Sequence, residues 1–254
     1  MQLIILGSGT STPHPRRASS SYWLETDSGS LLLDAGPSSI HQMAKENCDW
    51  ANLDAVWISH FHLDHFGGLA PLLFGMKHAP QTQSRTKPLV ICGPKGLKKT
   101  FDVIDAVSNH RLTQQPFQIT FQEVEPNEVF EILPNLGAQA FKTLHTDESL
   151  ALCVDDGKSS VVFTSDTYFD ELLIDFAREA DLLLIECSFV NHKPVFKHLN
   201  LAEAIYIANQ AKVKKVVLTH FCPEWDDVDI RTEIIKQKPT CTVYVASDGL
   251  LLEI

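Results

Sequence analysis

The chain has 254 residues, of which 44% are hydrophobic and 21% charged, and its formal net charge is −11. That composition is ordinary for a folded globular protein and excludes a disordered or low-complexity chain. The acidic balance repels polyanions over the surface as a whole, which weighs against extensive nucleic-acid contact but leaves room for a local cationic site at a metal centre.

In chain order, MQLIILGSGTST opens without a basic segment and turns to Gly and Ser after a short apolar run, so it reads as a first strand and not as a signal peptide. Short β-branched or Leu-rich runs predict strands near 2–6, 20–25, 31–34, 54–59, 88–92, 117–123, 138–144, 151–154, 160–164, 182–186, 214–219 and 242–245. Amphipathic spacing predicts helices over 38–46, 67–77, 95–108, 168–178, 200–211 and 228–237. The segment 79–88 reads as a surface loop and GPKG at 93–96 as a strand-to-helix turn. Hairpin-like strands followed by strand and helix alternation predict a single domain over 1–254, with sheets inside and helices outside. No apolar run approaches the roughly 20 residues of a membrane helix. The six cysteines (Cys48, Cys92, Cys153, Cys187, Cys222 and Cys241) form no CxxC pair and read as free thiols. A soluble, cytoplasmic protein is the expectation.

The strongest chemical signal is 59-SHFHLDHFGG-68, which places His60, His62, Asp64 and His65 directly after a predicted strand. Imidazole and carboxylate suit zinc and related divalent ions. On an extended segment alternate residues point the same way, so His60 and His62 can reach one ion. Asp64 and His65, where the chain turns toward a helix begun at Gly67 and Gly68, can face a second. Four ligands cannot complete two sites that must also admit water or substrate, so the chain has to supply more. His145, Asp166 and His220 each stand at the carboxyl end of an apolar strand, where sites on a sheet edge are built. His14, His41, His78, His110 and His192 match no ligand position and read as surface or loop residues. Arg16 and Arg17, beside His14, read as a solvated basic turn that can also touch a substrate phosphate.

In this order, HxHxDH, then His145, then Asp166 in TSDT, then His220, the chain resembles the metallo-β-lactamase superfamily over nearly its whole length, with Asp34 in 31-LLLDAGP-37 as the early structural aspartate. The resemblance implies an α/β fold, a four-layer αββα sandwich with two divalent metal ions along one edge. These would be zinc, with manganese or iron as substitutes. It further implies that one ion takes His60, His62 and His145, the other Asp64, His65 and His220, with Asp166 between them. Members that hydrolyse β-lactams usually carry Cys in place of Asp166, which disfavours that activity.

The opening 3-LIILGSGTSTPHPRRASSSYWLE-25 and the segment 198-HLNLAEA-204 are similar to the ribonuclease Z-like branch and its armless phosphodiesterases. Asn200 and Glu203 have the spacing of a capping box, which would hold His198 just outside a helix. The resemblance gives His198 the role of general acid toward the leaving oxygen and Asp64 that of orienting a metal-bound hydroxide. The interval between His145 and Asp166 is too short for the flexible arm of tRNA-processing members. Small cyclic or linear phosphodiesters are therefore the expected partner, with no membrane association, and any self-association is expected to be a homodimer. The runner-up is a tRNA 3′-processing endoribonuclease; a carbonyl-ester or lactone hydrolase of the same superfamily and a non-catalytic metal-binding protein rank below it.

Overall fold

The computed structural model describes residues 1–191, 193 and 196–254. His192 lies outside the described residues. Six strands build the first half: β1 (Gln2–Gly7), β2 (Ser21–Thr26), β3 (Gly29–Leu33), β4 (Ala55–Trp57), β5 (Leu89–Pro94) and β6 (Ile119–Val124). The second half contributes β7 (Val129–Leu133), β8 (Leu136–Lys142), β9 (Leu150–Asp155), β10 (Ser160–Phe163), β11 (Leu182–Glu186), β12 (Lys215–Thr219) and β13 (Thr242–Val245). β14 (Leu251–Glu253) returns to pair with β1, so the two seven-stranded sheets run β14-β1-β2-β3-β4-β5-β6 and β13-β12-β11-β10-β9-β8-β7.

Alternation in β2, β3 and β4 shows why the chain forms layers. Tyr22, Leu24, Leu31, Leu33 and Trp57 belong to one buried cluster together with Val161 and Leu183 of the other sheet. Their neighbours Trp23, Leu32 and Val56 join a second cluster, on the opposite face, with Met43, Leu72 and Phe101. With a side-chain period of two, strands apolar at every position must be covered on both faces. Helices α1 (Ser39–Lys45), α2 (Leu63–Phe66), α3 (Leu69–His78) and α4 (Leu97–Ser108) come from the first half. α5 (Leu172–Phe176), α6 (Leu201–Ala211) and α7 (Ile230–Lys236) come from the second. The result is the expected α/β sandwich with two central sheets.

The differences from the sequence reading are local. β7 and β14 were not expected: β7 pairs with β8 across the tight turn at Pro134 and Asn135, and β14 is only three residues long. Residues 168–171 are not helical, because Tyr168 N donates to Leu144 O at 3.1 Å instead of entering an α-helical ladder, and α5 begins only at Leu172. β4 ends at Trp57, and Asp64 and His65 lie inside the one-turn α2, ahead of Gly67. None of the described helices is long and apolar enough to cross a membrane. The six cysteines form no disulfide.

Candidate metal centre

Residues 58–62 leave β4 in irregular but fixed backbone: Ile58 N donates to Cys92 O at 2.8 Å and Leu150 N to Ser59 O at 3.0 Å. His62 then forms the N-cap of α2, with Asp64 in its first turn and His65 in its last. The next turn packs backbone on backbone against the loop after β3. Gly68 N donates to Ala35 O at 2.7 Å, and a Cβ at Gly68 would stand 2.2 Å from Gly36 O, so only glycine fits. His145 follows β8, Asp166 follows β10 and His220 follows β12, all at carboxyl strand ends.

All seven predicted residues meet at one place. His60, His62, His145 and Asp166 present ligand atoms within 4.8 Å of one another, as do Asp64, His65 and His220. His145 Nε2 is 3.1 Å from His62 Nδ1 and 3.7 Å from Asp166 Oδ2, which lies 4.0 Å from His60 Nε2. On the other side, His65 Nε2 lies 3.5 Å from Asp64 Oδ2 and 3.3 Å from Asp166 Oδ2, while His220 Nε2 is 3.3 Å from Asp166 Oδ1 and 3.7 Å from Asp64 Oδ2. Donors held about 2.1 Å from a tetrahedral ion stand roughly 3.4 Å apart, the spacing seen across both groups. Asp166 faces both at once.

A second test is whether these atoms have partners in the protein. Nε2 of His60, His65 and His220 is buried with no hydrogen-bond partner, a costly arrangement unless something else binds there. Their opposite nitrogens are engaged. His60 Nδ1 is 3.0 Å from Ser59 Oγ, His65 Nδ1 is 2.6 Å from Asp34 Oδ2, His145 Nδ1 is 3.0 Å from Lys197 O and His220 Nδ1 is 2.9 Å from Ser188 Oγ. Such partners turn the rings so that the free nitrogens aim inward, as metal-binding imidazoles require. The residues present fit divalent metal.

The electrostatics agree. Burial opposes protonation of His65, yet the carboxylates of Asp166 and Asp34 overcome it and hold the imidazolium well above the usual histidine range. Burial also opposes ionisation of Asp166, but His220 and His65 keep its carboxyl well below the usual range. Burial pushes His60 well down and keeps it neutral. The site therefore demands positive charge where the carboxylates converge, which bound cations satisfy. Three residues of the site's loops, Asp34, Ser165 and His220, take φ values of 57°, 55° and 58°, in the left-handed region.

His198 stands at the edge of the clusters, with a ring nitrogen within 4.8 Å of ligand atoms of Asp166 and His220 and its ring 4.9 Å from that of His145 and 5.4 Å from that of His220. Its Nδ1 is committed to Glu186 Oε1 at 3.0 Å. Burial lowers its pKa, but the Glu186 carboxylate more than offsets this and raises it to about 9. The capping box at Asn200 and Glu203 is present, so the loop carrying His198 is anchored to α6.

Sequence reasoning missed Glu186, Ser59 and Ser188. Glu186 is buried and accepts from Thr167 N at 2.7 Å, Ser188 Oγ at 2.7 Å and Leu199 N at 3.0 Å, besides His198. Its one available signal was position: it ends the apolar run LLLIE, as Asp166 and His220 end theirs. His14 pairs with Asp226 at 2.6 Å, as does Arg16 at 3.0 Å, while His41, His78 and His110 are exposed and away from the site. Of GPKG, Gly93 and Pro94 end β5, and Lys95 and Gly96 make the turn into α4.

The family described as "Anti-Pycsar protein Apyc1" matches residues 1–240. The "Probable metallo-hydrolase YhfI" of Bacillus subtilis (strain 168) is 27% identical, covering 100% of both chains. Its crystal structure superposes with a TM-score of 0.82 at 24% identity, over 100% of this chain and 99% of that one. A "Ribonuclease Z" of Methanosarcina acetivorans is 25% identical over 100% of this chain and 98% of its own length. The crystal structure of the human short-form tRNase Z gives a TM-score of 0.81 at 22% identity, covering 100% of this chain and 99% of that one.

Proposed function

The chain belongs to the Anti-Pycsar protein Apyc1 family and is a metal-dependent hydrolase of the ribonuclease Z-like branch of the metallo-β-lactamase superfamily, and we propose that it hydrolyses small cyclic or linear phosphodiesters. The observation that carries this reading is the Glu186–His198 pair beside the two clusters: a proton donor suits the departure of an alkoxide.

His60, His62 and His145 would hold one ion and Asp64, His65 and His220 the other, with Asp166 shared, zinc being the metal that this donor set suits best and manganese or iron alternatives. When bound, the ions supply Lewis acidity toward the phosphoryl oxygens and lower the pKa of water. Asp64, partly open to the cleft, accepts a hydrogen bond from the attacking water and orients it. As the water oxygen bonds to phosphorus and its proton passes to the Asp64 carboxylate, the bond to the leaving oxygen breaks and His198 gives that oxygen its proton, the two side chains exchanging a proton through solvent before the next turnover. Glu186 keeps His198 protonated and its ring fixed.

Full-length similarity to proteins named ribonuclease Z favours tRNA 3′ processing as a second reading. It ranks lower because, between His145 and Asp166, the chain holds only β9 and β10, an antiparallel pair joined by a short turn, and because its charge is −11. Assays of the metal-loaded protein on a 3′,5′-cyclic nucleotide, an aryl phosphodiester, a lactone and a precursor tRNA test the reading. Preferred turnover of the diesters supports it. Preferred turnover of the lactone or the tRNA contradicts it.

A further inference from the structure

The loop between β1 and β2 forms one wall of the metal cleft. Thr10, Ser11 and Thr12 line the cleft, of about 260 Å³, together with Asp64, Asp166 and His220. Ser11, His62 and Asp64 also line a neighbouring cavity of about 560 Å³, so the loop borders both spaces.

The base of this loop is tied down. Gly9 N donates to Ala18 O at 2.8 Å, and Phe221 N donates to Ser8 O at 2.9 Å. Asp248 accepts from Ser8 N at 2.9 Å, from Ser8 Oγ at 2.8 Å and from Ala18 N at 2.7 Å, which closes the loop at both ends. Farther out, among the described residues, the hydrogen bonds and ion pairs that 11–17 make outside their own loop all go to one carboxylate, that of Asp226. His14 Nε2 donates to Asp226 Oδ2 at 2.6 Å, Arg16 Nη2 lies 3.0 Å from the same oxygen, and Arg17 Nη2 lies 3.6 Å from Oδ1. Arg16 N donates to His14 Nδ1 at 3.1 Å, so a neutral imidazole, accepting at one nitrogen and donating at the other, completes the set.

Asp226 has a firm support. It belongs to the 3₁₀ turn Pro223–Asp227, which follows the loop carrying His220. Trp225 of that turn is buried and donates from Nε1 to Cys187 O at 2.9 Å, and Glu224 accepts from Val190 N at 2.8 Å. The carboxylate therefore joins the cleft wall to the half of the molecule that carries His220 and His198.

We infer that Asp226 is a positioning residue for the hydrolysis, holding the 11–17 loop as a strap along one side of the cleft. The kinetic part of the inference rests on the phosphodiesterase reading above; the anchor rests on the contacts of Asp226 alone. A loop closed at its base and held at its tip by partly exposed ion pairs opens locally at small cost, while the sheets stay folded. Substrate that needs the closed wall then binds with an apparent affinity reduced by the closed fraction.

Proteolysis and kinetics on the metal-loaded, full-length protein test it. Arg16 and Arg17 are trypsin sites within the strap, and cleavage of the native protein after them follows the population of the open loop. Asp226→Ala should be cut there about tenfold faster than wild type, with melting temperature and metal content close to those of wild type. On bis-nitrophenyl phosphate its KM should rise about three- to tenfold and its kcat change much less. Asp226→Asn keeps an acceptor for His14 but loses the ion pairs, so it should fall between the two. His14→Ala added to Asp226→Ala should change little further, because both act through one contact. Unchanged cleavage in Asp226→Ala would overturn the anchor, and faster cleavage with unchanged KM would overturn the positioning role. Wild type inert toward the diester, with metal bound, would overturn the phosphodiesterase reading and the positioning role with it, while the cleavage rates would still decide whether Asp226 anchors the strap.

Discussion

Glu186 Oε1 accepts a hydrogen bond from His198 Nδ1 at 3.0 Å, and the same carboxylate accepts from the backbone at Thr167 and Leu199. One buried side chain thus links the loop carrying Asp166 to the loop carrying His198, and it engages Nδ1 of His198.

That link sets a pH dependence. With its pKa raised to about 9, against burial and chiefly by Glu186, His198 keeps its proton at neutral pH and loses it as the pH rises through that value. Cations bound nearby pull the value down. For a substrate with an alkoxide leaving group, kcat should therefore decline on the alkaline side. Glu186→Gln removes the charge that favours the imidazolium, so the alkaline limb should move to lower pH and kcat at pH 8 should fall about tenfold or more. A pH–rate profile whose alkaline limb stays in place would show that another group sets it.

Metal content is the next test. Reconstituted protein should bind about two divalent ions per chain, and chelation should lower its melting temperature, since ligand that binds only the folded state stabilises it. Metal analysis that saturates at one ion, with His220→Ala retaining that ion and full activity, would contradict the paired assignment.

Asp34 offers a separate test of the supporting shell. Its carboxylate accepts from Ser59 N and Ser59 Oγ, both at 2.8 Å, and pairs with His65 Nδ1 at 2.6 Å, all buried. Asp34→Ala leaves those donors unpaired and puts Ala at φ 57°, so a loss of about 3–5 kcal/mol is expected from chemical denaturation, with metal affinity down about 10- to 100-fold. Asp34→Asn tolerates the left-handed backbone and keeps one acceptor, so it should lose less. Equal, small effects of both would mean that His65 is oriented by other contacts.

These tests fall on residues of unequal visibility in the sequence. His60, His62, Asp64 and His65 announce themselves because their ligand atoms converge within six positions of one turn. His145, Asp166 and His220 could be proposed because each closes an apolar strand, but what brings them together is the pairing of β10 with β9 and β11 and of β11 with β12. Glu186 went unseen because a glutamate closing LLLIE has no local mark of burial; its partners come from 164–167 and 198–199, far away in sequence. The strands over the core were legible from alternation and apolar runs. β7 and β14 were not, since VFEIL leaves Val129 exposed and β14 has only its edge pairing to β1 to define it.

The substrate ranking can be tested by size. An acidic chain with only a short hairpin turn between β9 and β10 should cleave a small diester far better than precursor tRNA, and added salt should not reverse the order. A kcat/KM that favours tRNA at physiological salt would restore the second reading.

The most direct measurement concerns His198 itself. His198→Ala should keep both ions, because no predicted ligand is lost and the loop remains anchored by the Asn200–Glu203 capping box. On a cyclic nucleotide, whose leaving oxygen is an alkoxide, kcat should fall about 10²- to 10⁴-fold with a smaller change in KM. On a nitrophenyl diester, whose leaving oxygen departs without a proton, the loss should nearly vanish. Equal losses on the two substrates, or release of metal by the substitution, would contradict the assignment of His198 as the acid.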